Sequence, residues 1–185
     1  MGRKVKKTKI SSLIVYEDEI KVNGHTRRLV FNNRALGYAE QYCRQNGFEL
    51  LGEELLDEVS RGVFRAIFAV LYGTVKAGHK GYTFSQFKSE FKIDGLVIYT
   101  EKIAKGLSEY LFEKRELPDG ITLEADEKSS DIVGDYFELA RKVLKMTDDE
   151  ILNSSLRIIE QRLKFSLGID EQDSKAGYID SVPGF

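Results

Sequence analysis

Residues able to do chemistry are few in this chain, and their spacing decides what they can do. The two histidines, His25 and His79, lie far apart, with no second histidine three or four residues from either. Zinc sites on helices need paired ligands at that spacing, so both read as ordinary turn or surface histidines. The run Gly73-Thr74-Val75-Lys76-Ala77-Gly78-His79-Lys80-Gly81 sets two glycines at phosphate-loop spacing. A phosphate cradle also needs Lys then Ser or Thr after the second glycine, and a strand before it. Here His79 and Lys80 take those places and the run closes a helix, so nucleotide binding is not expected. No Gly-x-Ser-x-Gly elbow occurs, and Cys43 falls mid-helix at a position read as buried, where a thiol behaves as an inert apolar group. The carboxylates Asp57-Glu58 and Asp148-Asp149-Glu150 fall at helix starts and exposed faces, where negative charge favours the helix dipole. Catalytic acid pairs need burial and unequal surroundings instead. The residues therefore predict a protein that is not an enzyme, with no metal and no cofactor.

Composition points the same way. A chain of 185 residues with 42% hydrophobic and 31% charged residues can build a sizeable core. Twenty-eight Lys and Arg against thirty Asp and Glu leave a formal net charge of −2, which argues against binding nucleic acid through overall charge. The single cysteine excludes an intramolecular disulfide and any cysteine-rich zinc site. No run approaches the roughly 18 apolar residues of a membrane span. The basic start Gly2-Arg3-Lys4-Val5-Lys6-Lys7 leads into polar residues rather than the apolar core of a signal peptide. Gly2 does not begin a myristoylation motif, because Lys6 stands where Ser or Thr is needed. The expected location is the cytoplasm, with no membrane partner.

The clearest element is a β-hairpin at about Glu19–Phe31. Alternating apolar residues flank Asn23-Gly24, and that pair supplies the two positive φ angles of a type I′ turn. Asn32 or Asn33 caps a first helix that ends at Asn46-Gly47. Residues Glu53 to about Lys76 carry so wide an apolar stripe that one long central helix is predicted. Thr83 with Gln86 forms a capping box for a short helix, and a fourth runs from about Gly95 to Lys114. Ile132 to Met146 reads as a further helix, and a second capping box, Thr147 with Glu150, opens a last helix reaching Gly168.

The predicted class is α+β, predominantly α: an N-terminal β-hairpin packed on a helical bundle, followed by a C-terminal helical hairpin. The organisation is a basic mobile arm over 1–12, the hairpin and helical domain over 13–115, an acidic linker over 116–130, the helical hairpin over 131–168 and a flexible tail over 169–185.

Two sets of residues could meet a partner. Phe68, Tyr72, Phe84, Phe87, Phe91, Tyr99 and Tyr110 recur at helical spacing. Such a stripe forms either plain core or a groove that receives another protein's apolar helix. Arg3, Lys4, Lys6, Lys7 and Lys9 form a cationic cluster that could touch nucleic acid, although such runs are usually solvated.

The order of elements resembles a known family. Val22-Asn23-Gly24, the return Thr26-Arg27-Arg28-Leu29-Val30-Phe31-Asn32, the helix start Arg34-Ala35-Leu36, a long apolar helix and then Tyr82-Thr83-Phe84-Ser85-Gln86-Phe87 look like the tail assembly chaperones of phages and prophages of Gram-positive hosts. The resemblance covers about Glu19 to Lys114. The basic arm and the apolar stretch from Val5 to Tyr16 depart from that pattern. The resemblance implies a non-enzymatic chaperone that shields the hydrophobic helices of a tape-measure protein and recruits tail-tube subunits, and it leaves self-association open. The alternative is a small DNA-binding or regulatory helical protein that uses the basic arm.

Overall fold

The computed structural model describes residues 15–111 and 132–168. The basic arm, the linker over 116–130 and the tail over 169–185 lie outside the described residues. Strands β1 (Glu17–Val22) and β2 (His25–Val30) pair antiparallel, with Glu17 opposite Val30 and Val22 opposite His25. Asn23 and Gly24 turn the chain at φ 47° and 77°, the left-handed pair that the sequence predicts there. Ile20, Val22 and Leu29 point into the core.

Helix α1 (Asn33–Gln45) starts where Asn32 accepts the Ala35 amide. It ends in a Schellman motif around Gly47, with Phe48 N–H donating to the Cys43 carbonyl and Gly47 N–H to Arg44. It lies against α3 (Phe64–Gly78) at unusually short range. A Cβ on Gly73 would sit 2.1 Å from the Ala35 carbonyl oxygen and 2.9 Å from the Ala39 amide nitrogen, so the two backbones touch. From Ala66 to Val75 only Phe68 is not fully buried, which makes α3 the centre of the core.

The long helix expected over Glu53 to Lys76 is instead two, α2 (Gly52–Ser60) and α3. Gly62 at φ 75° ends α2 in a second Schellman motif, with Val63 N–H on the Glu58 carbonyl and Gly62 N–H on Val59. The break lets α2 bury Leu55 and Leu56 while α3 is buried nearly all round.

Helix α4 (Phe84–Glu90) carries the predicted capping box in full: Thr83 accepts the Gln86 amide, and Gln86 accepts the Thr83 amide. A 3₁₀ turn (Ile93–Gly95) leads into α5 (Leu96–Tyr110). The C-terminal helices are α6 (Ile132–Lys142), α7 (Asp148–Leu152) and α8 (Leu156–Ser166). The last predicted helix is therefore broken. Ser155 caps α8 by accepting the Ile158 amide, and the carbonyls of Ile151 and Ser154 are taken by Asn33. Val133, Tyr136, Leu156 and Ile159 join the same apolar core as Leu29, Ile67 and Ile103. The protein is α+β and mostly helical, with its hairpin on the helical body. Among the described residues no helix is long and apolar enough to cross a membrane.

Candidate partner-binding surface

Six of the seven predicted aromatics meet in one cluster. Phe87 stacks on Phe91 at 4.8 Å between ring centres, Phe91 meets Tyr99 at 5.3 Å and Tyr72 meets Phe87 at 5.3 Å. Phe68 reaches Phe87 and Tyr99, and Phe84 reaches Tyr72. Most of these contacts are edge-to-face, which the ring quadrupoles favour. Tyr72, Phe87, Phe91, Tyr99 and Tyr110 are buried, and only Phe68 and Phe84 are half-exposed. Of the two readings left open by their spacing, core or groove, these rings take the first: they fill the space between the helices themselves. The reason is geometric: α4 is short, and its Phe87 and the following Phe91 turn in against α3 and α5. Tyr110 stands apart, its hydroxyl donating to Asn33 Oδ1 at 2.7 Å, and burial raises its pKa.

The residues singled out for chemistry have structural employment. Gly73 and Gly78 of the glycine run are helical, and a Cβ on Gly78 would lie 2.5 Å from the Arg28 carbonyl oxygen. His79 Nε2 accepts the Arg28 amide at 2.8 Å; burial, then the charges of Arg27 and Arg28, hold its pKa below the usual histidine value. Cys43 is fully buried, and burial pushes its thiol up to about 11. Asp148 pairs with Arg141, Asp149 with Arg34, and Glu150 closes the Thr147 capping box, whose hydrogen bonds lower its pKa. Among the described residues no group of His, Cys, Asp or Glu could hold a metal ion.

Glu90 joins the hairpin to α4 and to Tyr82. Its carboxylate accepts from Arg27 Nε and Nη2 and from the Tyr82 hydroxyl, while Asn23 donates to its backbone carbonyl at 2.9 Å. The Arg27 hydrogen bonds hold its carboxyl below the ordinary range. This knot fastens the hairpin tip to α4.

Several large apolar side chains are exposed among the described residues, Phe165 at 82% among them, and two faces stand out. Ile93, Val97 and Ile98 at the head of α5 are 67%, 71% and 56% exposed, an apolar set with no cover among the described residues. The second follows α1. Arg34, Tyr38, Gln41 and Arg44 with Leu152 line an open depression of about 640 Å³. Lys76 Nζ lies 5.0 Å from the Tyr38 ring centre and donates to the Tyr72 hydroxyl at 3.0 Å. Lys88 Nζ lies 4.5 Å over Phe84, and Arg65 lies 5.6 Å over Phe48. Spacing alone did not find this face, because its cations stand singly in the sequence and only the α1–α3 contact brings them together.

Comparison with protein-family models, with curated proteins and with solved structures gives no match for this chain.

Proposed function

We propose that the chain is a non-enzymatic tail assembly chaperone that shields apolar helices of a tape-measure protein in the host cytoplasm and recruits tail-tube subunits. The order of elements supports this reading, and one observation carries it: the exposed set Ile93, Val97 and Ile98. Three large aliphatic side chains open to water on adjacent turns are suited to covering a partner's apolar helix. The aromatic stripe leaves little for a partner, because most of its rings are buried in the core. Co-expression with the tape-measure protein tests the proposal. The expected result is a soluble complex that co-purifies; failure both to co-purify and to improve the solubility of that protein would sink it. The alternative, a DNA-binding protein working through Arg3, Lys4, Lys6, Lys7 and Lys9, would instead show duplex binding that weakens steeply with salt.

A further inference from the structure

We infer that the face built from α1, the end of α3 and α4 is a docking surface for an acidic polypeptide segment. Between Lys76 and Lys92 the chain carries four cationic residues, Lys76, Lys80, Lys88 and Lys92, against one carboxylate, Glu90. That carboxylate is committed to Arg27 and Tyr82. Helix α1 adds Arg34 and Arg44, and its one acid, Glu40, accepts the Gly52 amide at 2.8 Å. These elements thus carry a surplus of positive charge in a chain whose formal net charge is −2.

The parts of the face are continuous. Tyr38 touches Lys76; Tyr42, one turn further along α1 and half-buried, meets Phe84 at 5.3 Å; and Lys88 covers Phe84. Tyr38 also lines the depression shared with Arg44 and Gln41. Arg34 is paired with Asp149, whereas Arg44, Lys76 and Lys88 make no ion pair among the described residues. The depression is open and shallow, a shape that receives side chains from a neighbouring segment rather than enclosing a small molecule. A Cβ on Gly37, at its edge, would meet nothing within 4 Å.

The placement of the cations favours polypeptide over single-stranded nucleic acid. Bases bind such surfaces by stacking on ring faces. Here Lys76 and Lys88 already lie over the faces of Tyr38 and Phe84. A carboxylate reaches those ammonium groups from outside without displacing them, and the positive ring edges welcome it. Exposed Gln41 and Gln45 can add hydrogen bonds to a backbone. This surface does not include the apolar head of α5, so its failure would leave the tape-measure proposal standing.

The test uses the full chain and two labelled probes followed by fluorescence anisotropy: short poly-L-glutamate and oligo-dT of equal length. Poly-L-glutamate should bind more tightly than oligo-dT and weaken with added salt. Lys76→Glu combined with Lys88→Glu should lower its affinity about tenfold with unchanged circular dichroism, because both charges are reversed at the contact. The control pair Lys105→Glu with Arg162→Glu, elsewhere on the surface, should leave it within about twofold, as remote screened charges do. The inference is overturned if poly-L-glutamate does not bind, if the control pair weakens it equally, or if oligo-dT binds more tightly.

Discussion

The buried side chain of Asn33 accepts the Tyr110 hydroxyl at 2.7 Å and donates to the Ile151 carbonyl at 2.7 Å. Its backbone N–H donates to the Ser154 carbonyl at 2.9 Å. One residue in the first turn of α1 therefore ties α5 to α7 and to the break before α8. Burying these groups is tolerable only because each has its partner. Asn33→Ala strands the Tyr110 hydroxyl and the Ile151 carbonyl, and should destabilise the protein by about 3 kcal/mol in urea unfolding. Tyr110→Phe should cost about 1 to 2 kcal/mol, and the double variant less than the sum of the two.

Gly73 and Gly37 make an opposed pair of expectations. A methyl group on Gly73 would meet the Ala35 carbonyl at 2.1 Å, so Gly73→Ala must push α1 from α3 and should cost about 3 kcal/mol. Gly37 lies inside α1 with open space around its Cβ position. Gly37→Ala should therefore raise stability by up to about 1 kcal/mol, through helix propensity alone. Thermal unfolding of the two variants should shift in opposite directions.

Stability should fall as the solution is acidified, in two steps of known sign. His79 has its pKa lowered in the folded protein by burial and by Arg27 and Arg28. The unfolded chain thus binds its proton first, and stability present above about pH 6.5 declines as the pH falls from there toward the lowered folded value. Glu90 is lowered from 4.5 by Arg27 above all, so its contribution is intact above that pH and is lost below it. His79→Gln, which removes the titrating group, should flatten the step that begins near pH 6.5 and leave the lower one. Urea midpoints from about pH 7 down to below 4.5 measure both.

The hairpin and the helix ends were legible in the sequence because their signals are local. Asn23-Gly24 needs only its own φ angles, and Thr83 with Gln86 or Thr147 with Glu150 needs only one turn. Gly62 was not legible as a stop. A single glycine inside an apolar run is tolerated in helices, and the stripe from Leu55 to Val75 continues across it. Ser154 and Ser155 were hidden likewise, since the break they form depends on Asn33, more than a hundred residues away in sequence. The aromatic spacing picked out residues that cluster, Tyr110 aside, and left open whether they formed groove or core. Periodicity reports which face is apolar, and Phe87 and Phe91 packing on Tyr99 decides what covers it. The apolar head of α5 was missed as a surface because Val97 and Ile98 run on without a break into buried Tyr99, and an unbroken apolar run hides which of its residues face outward.

Cys43 provides a clean probe of opening. It is fully buried and its thiol is pushed up to about 11 by burial, so a thiol reagent at mildly alkaline pH should react only as fast as the protein opens. One equivalent of fast reaction should appear once denaturant is added. Rapid modification of the native protein would contradict the packing of α1 on α3.

The head of α5 bears the central proposal most directly. The measurement is the amount of tape-measure protein that co-purifies with wild type and with Ile93→Ser, Val97→Ser and Ile98→Ser combined. These side chains are exposed, so the triple variant should unfold at nearly the wild-type temperature. Wild type should hold the partner in solution, and the variant should lose most of it. Equal recovery by a folded triple variant, or none by wild type, would contradict the proposal.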